Sequence, residues 1–211
     1  MKKETPIWEQ KGKICLNLGC GIETKKGFIN VDKFYTYEEL TSKKGLFKSA
    51  VIAPGAKYVQ ADILHLPFKD DYADYVELIN CIEHLPMRGV IDYIKEIRRV
   101  MKKGAKLLII TNNMDGLALD WLNMLAHPPF NLEEFISVSE TIYGNQLAEG
   151  EVHRCPFNPT FMNVVLSSAG FMDGKVFAFT KGALCPVFGS VKPYKKGAVL
   201  RNDLVVAEAV K

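Results

Sequence analysis

The chain has 211 residues, 48% of them hydrophobic, enough to bury one substantial core and short for two, so a single domain over residues 1–211 is expected. Lysine plus arginine exceed aspartate plus glutamate by only 27 to 24, too little for a long-range field that would draw nucleic acid or an anionic membrane. The five cysteines are scattered, with neither C-x-x-C spacing nor paired histidines nearby, which argues against a disulfide framework and against a metal site.

Residues 1–13 carry charge but no apolar segment, and the longest aliphatic run, residues 107–110, is too short to span a bilayer. A soluble, cytoplasmic protein without a membrane partner is the expectation. Residues 13–18 (KICLNL) read as a buried strand that stops at glycine. Residues 28–31 form a second strand closed by Asp32, and residues 57–60 (KYVQ) a third closed by Ala61 and Asp62. Residues 75–79 (YVELI) form a fourth, ending at Asn80 and Cys81. Then Val90, Ile91, Ile94, Ile97 and Met101 recur at helical steps, and the basic turn 98–103 followed by Gly104 predicts the end of that helix. Residues 106–111 (KLLIIT) are a fifth strand.

Such alternation predicts parallel βαβ units over residues 13–111. Residues 117–126 suit a helix ended by Pro128 and Pro129. Within them, Trp121, Leu122, Met124 and Leu125 are expected to pack in the core, a cover for the site or a dimer contact being the other readings. Residues 132–150 mix helix and loop signals and are expected to form a mobile insertion near the site, in a segment (114–156) that supplies the acceptor site. Asn158 caps a helix with Pro159 at its first position; Phe161, Val164, Val165 and Ser168 share a face, and Gly170 stops it. Residues 175–180 and 198–209 are strand-like with no helix pattern between them, so they pair antiparallel and close the segment 157–211. The fold class is α/β, a doubly wound seven-strand mixed sheet with strands six and seven antiparallel.

Ligands of such sheets bind beyond the carboxyl ends of the strands at the switch point. The chemistry-bearing residues collect there: Gly19, Cys20 and Gly21 after the first strand, Asp32 after the second, Asp62 after the third, and Asn80, Cys81, Glu83 and His84 after the fourth. The dinucleotide pattern G-x-G-x-x-G lacks its third glycine, and ten residues between Gly21 and Asp32 are too few for a crossover helix plus strand. The first helix is therefore expected to shrink to about a turn or become a loop. Asp32 suits a ribose, and Asp62 with the Ile63 backbone suits an adenine edge. Both aspartates also suit the capping of turns after their strands.

LNLGCG, FINVD, ADILHLPF, the IEHL turn, EIRRVMKKGAKLLIIT and the SSAGF helix end, in that order, resemble class I S-adenosylmethionine (SAM)-dependent methyltransferases over nearly the whole chain. The resemblance implies a Rossmann-like methyltransferase fold with its SAM-binding half in residues 13–111. It implies a cofactor site of Asn17, Gly19, Cys20, Gly21, Asp32, Lys33, Asp62, Ile63 and Asn80. Asn17 stands where the family has an acid, which moves or removes any acidic role toward the methionine ammonium. GFINVD and IYGNQ before HRCPF resemble a small subgroup associated with glycans and other cell-surface metabolites.

The implied activity is methyl transfer to a small-molecule or glycan-type acceptor by a monomer or homodimer. His84 is the first candidate base, because it follows strand four and ordinarily titrates near neutrality; His153, Tyr143 and Glu83 come next. His84 also suits a bond to a backbone carbonyl, and His153 and Arg154 suit the ordering of their loop. Cys20 and Cys81 are expected to line the pocket without acting as nucleophiles. Lys192, Lys195 and Lys196 read as a solvated loop or as contacts to an anionic acceptor. A non-catalytic SAM-binding protein and, less favoured, a nicotinamide-dependent oxidoreductase are the alternatives.

Overall fold

Two apolar residues facing one side and a cysteine and an asparagine facing the other make Cys15–Leu18 (β1) a strand buried on both faces. The computed structural model describes residues 7–126, 131–179, 184–185, 189–190 and 204–211. Its other strands are Phe28–Asp32 (β2), Lys57–Gln60 (β3), Ala73–Ile79 (β4), Met101–Asn112 (β5), Lys175–Phe179 (β6), the short Leu184–Cys185 (β7) and Gly189–Ser190 (β8), and Leu204–Val210 (β9). Seven of them form one sheet in the order β3-β2-β1-β4-β5-β9-β6, while β7 and β8 pair only with each other. The first five are parallel, and β9 runs antiparallel between β5 and β6. This is the doubly wound mixed sheet expected. Thr180, residues 198–203, Pro128, Pro129 and the three loop lysines lie outside the described residues.

Leu16, Leu18, Val31, Val76, Leu78, Leu107 and Ile109 share the larger core with Val90–Val100 (α2) and Pro159–Ser168 (α5), which pack on each other. Val90, Ile94, Ile97 and Val100 are the buried stripe of α2, so Val100 takes the place anticipated for Met101. The helix ends there. Met101–Lys103 continue as strand, and Gly104 is not its cap: at φ +80° it donates its N–H to Lys211 O at 2.7 Å. Pairing of Met101 with Ala73, and of Lys102 with Asp74, outweighs the local helix-end signal.

Helix α5 has its Asn158 cap and Pro159 as expected, but it buries Met162, Val165 and Leu166 while Val164 is exposed. The anticipated face is rotated by about one position, toward α2 and the sheet.

The opposite face of β1 is unusual. No helix joins β1 to β2; residues 19–27 form a loop that pairs with residues 51–53 through Thr24 N–H to Val51 O and Val51 N–H to Ile22 O, both 2.8 Å. Under it lies a polar network in which Asn17 donates to Asn30 at 3.0 Å and Lys25 pairs with the buried Glu77. Asn30 in turn donates to Lys25 O and Lys57 O, so each buried amide is matched.

Residues 114–126 and 132–143 are helices, Met114–Ala126 (α3) and Leu132–Tyr143 (α4), which pack chiefly on each other. The segment read as a mobile insertion thus contains a regular helix. Core packing is overturned for two residues of the α3 patch, since Leu122 and Leu125 are 61% and 55% exposed. No helix among the described residues is long and apolar enough to cross a membrane. Between β3 and β2 the small Tyr37–Ser42 (α1) carries a full capping box from Thr36 and Glu39.

Candidate functional site

The sheet's direction of winding reverses between β1 and β4, and a cavity of about 840 Å³, counted with its open mouth, lies at their carboxyl ends. Gly19 and Gly21 sit after β1 at φ +67° and +53°, where an L side chain is strained. A Cβ on Gly19 would lie 2.1 Å from the Cys81 Sγ, whereas one on Gly21 would meet nothing within 4 Å. The first glycine permits close strand-end packing; the second leaves a backbone wall with no side chain beside the cavity.

That wall is held by Asp32. Its carboxylate accepts the Gly21 N–H at 2.8 Å and the Phe34 N–H at 2.9 Å, and a carboxylate has about four acceptor positions, so about two stay available to the cavity. Asp62 caps its own turn by accepting the Leu64 N–H at 2.9 Å and pairs with Lys33 at 2.9 Å. Burial alone would raise the Asp62 pKa; the bonds from Lys33 and Leu64 outweigh it and lower it. Asn80 leaves β4 at φ +49°, a conformation asparagine tolerates, and turns the chain across the cavity floor.

The Ile82–His84 turn meets the strap after α4. Arg154 and Cys155 N–H groups both donate to Glu83 O, at 2.8 and 3.0 Å, and His153 N–H donates to Tyr143 O at 3.1 Å. Gly144 permits this approach, because a Cβ there would lie 1.7 Å from Glu151 O. A second cavity, about 730 Å³ counted with its open mouth, is lined by Glu83, Asn112, Leu117, Tyr143 and His153 among others. Arg154 lines both cavities.

At the shared wall the His84 and His153 rings meet edge to face, centroids 4.7 Å apart. His84 Nδ1 lies 3.2 Å from Val152 O and His153 Nδ1 2.7 Å from Thr141 O. A carbonyl only accepts, so each Nδ1 carries the proton and each neutral ring leaves Nε2 unprotonated. Burial pushes the His84 pKa down to about 4, which corrects the expectation that it titrates near neutrality. Burial also lowers the His153 pKa, and it raises that of Glu83 to about 7. Both Glu83 carboxylate oxygens are buried, and the Thr111 hydroxyl and the residue's own backbone N–H favour the ionised form without completing a hydrogen bond to either.

Residues 16–109 match the family described as methyltransferase domain. An uncharacterized protein of Methanocaldococcus jannaschii is 30% identical over 142 residues, 65% of this chain and 60% of that protein. Norajmaline N-methyltransferase of Rauvolfia serpentina is 30% identical over 111 residues, 48% of this chain and 37% of that enzyme. The chain thus spans less than two thirds of either curated relative. A SAM-dependent methyltransferase structure from Archaeoglobus fulgidus shares the fold, with a TM-score of 0.56, 16% identity, and coverage of 94% of this chain and 86% of that one. Residues 16–109 thus match a methyltransferase domain, and the chain shares its fold with a SAM-dependent methyltransferase structure.

SAM, the cofactor that the sequence resemblance implies, fits the first cavity on its geometry: open space beside Gly21, and an aspartate with acceptor positions to spare. Of the residues anticipated for the cofactor, Gly19, Gly21, Asp32, Lys33, Asp62, Ile63 and Asn80 line the first cavity. Asn17 and Cys20 do not; Asn17 is engaged by Asn30 beneath the loop. Cys81 lines the cavity as expected, and burial raises its thiol pKa well above the ordinary value. Tyr35 and Tyr93 also line it and carry no signal in the strand-end pattern, because they reach the cavity from a loop and from α2.

Proposed function

We propose that this protein transfers a methyl group from SAM, bound in the first cavity, to a small-molecule or glycan-type acceptor bound in the second. The observation that carries the reading is the wall the two cavities share, formed by the 83–84 turn and the 153–154 strap. When bound, SAM supplies an electrophilic methyl group, so the protein's tasks are alignment and control of one proton.

In this reading the backbone of Gly19 and Gly21 makes room for the methionine end, and the spare acceptor positions of Asp32 take the ribose hydroxyls. Asp62, braced by Lys33, and the Ile63 backbone flank the adenine, and Asn80 lines the methionine end. His84 and His153 present unprotonated Nε2 atoms at the wall, the state required either to accept a proton or to hold a cation. The second cavity, about 290 Å³ with the open solvent at its mouth left out, suits a compact acceptor, in keeping with a relative named for a single compound, norajmaline.

Calorimetric titration with SAM and S-adenosylhomocysteine tests the reading. Asp32→Ala is expected to weaken both by at least about tenfold, the loss of one to two charge-assisted hydrogen bonds. Absence of binding by the parent protein, or tight NADH binding in its place, overturns it. A binding protein without turnover is the second reading, favoured by the engagement of Asn17 in the structural network under the loop; methyl gain in a metabolite screen decides against it.

A further inference from the structure

Glu83, His84 and His153, at the wall between the cavities, each offer one ligand-capable atom, and these three atoms lie within 4.8 Å of one another. We propose that they form a binding site for a divalent first-row transition metal ion. Three features of the protein itself favour a cation there. First, the Glu83 carboxylate is 3% exposed and neither oxygen completes a hydrogen bond; the Thr111 hydroxyl and the residue's own backbone N–H only partly offset its burial, which leaves a proton or a cation to satisfy it. Second, each histidine spends its Nδ1–H on a backbone carbonyl, Val152 O or Thr141 O, the outer contact that fixes a metal-binding imidazole and leaves Nε2 as the donor. Third, the strap that carries His153 is anchored to the backbone of Glu83 itself by two N–H bonds, so the main-chain segments that bear two of the ligands are held side by side.

A carboxylate with two imidazoles selects borderline ions such as Mn²⁺, Fe²⁺, Co²⁺ or Zn²⁺ over Mg²⁺ and Ca²⁺, which prefer oxygen alone. Bonds of about 2.1 Å need ligand atoms about 3.4 Å apart in a tetrahedron, so atoms that now lie within 4.8 Å of one another must draw closer when the ion binds. Three protein ligands leave at least one position open. Because Glu83 and His153 line the second cavity and His84 the first, that position faces the junction of the two. The consequence for substrate class rests on the methyltransferase reading: the acceptor is a hydroxyl compound whose oxygen binds the metal. As the metal–oxygen bond forms, the hydroxyl proton leaves to bulk water, and the histidines act as ligands without taking that proton.

The test is metal binding by chelator-treated protein, with Mn²⁺ followed by the loss of its free electron paramagnetic resonance signal and Co²⁺ by visible absorption. S-adenosylhomocysteine affinity of the same samples reads the cofactor cavity separately. One equivalent is expected to bind, and Glu83→Gln and His153→Ala are each expected to weaken it at least about tenfold while leaving S-adenosylhomocysteine affinity within about twofold. His84→Gln serves as the ligand-loss variant if either of these fails to fold. Failure of both ions to bind below about 1 mM, or parental affinity in any folded variant, overturns the site even if cofactor binding is intact. Loss of cofactor binding by the parent protein with the metal site intact would instead overturn the methyltransferase reading.

Discussion

At the scale of single residues, positions 19 and 21 show how two glycines in one motif act differently. Gly19 is required by sterics: its φ is +67°, and a Cβ would sit 2.1 Å from Cys81 Sγ and 2.7 Å from Cys81 Cβ. Gly19→Ala is expected to destabilise the fold by about 2–4 kcal/mol, measured by chemical denaturation. Adding Cys81→Ala should recover only part of this, because the Cβ contact remains. Full recovery would show that the sulfur alone is the obstacle. Gly21 has open space beside it, so Gly21→Ala is expected to cost SAM affinity more than stability. The glycines and Asp32 were legible in the sequence because they interrupt apolar runs at strand ends. Which of Asp32's acceptor positions are already taken was not, since the Gly21 and Phe34 N–H groups reach it through the geometry of two different turns.

Among the elements, the edges where strands begin carry the charge. Asp74 near the start of β4 accepts from Lys102 at 2.7 Å, from the Ile14 N–H at 3.0 Å and from Lys13 at 3.1 Å, tying three strands together. Burial works against the ionised form, yet these bonds outweigh it and bring its pKa from 3.8 to about 2. A depressed carboxylate stabilises the fold above its unfolded value and stops doing so as pH falls through the folded one. The contribution, about 2 kcal/mol, should therefore be present at pH 5 and fade between about pH 4 and pH 2. Urea denaturation of wild type and Asp74→Asn across that range should converge at the acid end; a constant difference would mean that Asp74 acts by packing alone. The loop that replaces the first helix makes a related prediction. Lys25→Met leaves Glu77, 1% exposed, without its cation and should cost about 2 kcal/mol, less than a fully buried pair because the Lys25 side chain is 36% exposed. A thermal shift within error of zero would show that Glu77 is held without it.

For the whole molecule, one face of the sheet and its two packed helices form the larger core, a smaller cluster around Phe28 and Tyr75 covers the other face, and α3 and α4 pack chiefly on each other beside the second cavity. Few contacts with the core imply local opening at low free energy. Amide hydrogen exchange should be slowest in β1, β4 and β5 and faster throughout α3 and α4; protection in α4 equal to that of β5 would contradict this. The sequence by itself determined the parallel strands, their order of appearance and the residues at their carboxyl ends. Those features follow from runs of apolar residues and their interruptions, which are local. The tertiary structure decided the rest. Residues 101–103 became strand because β4 and the C-terminus supplied partners, against a helix-end pattern of basic residues and glycine. Residues 19–27 became a loop because residues 51–53 satisfied its backbone and a buried polar network filled the space beneath. Glu83, His84 and His153 came together because Arg154 and Cys155 donate to one carbonyl of the turn after β4, a long-range pairing that no periodicity encodes.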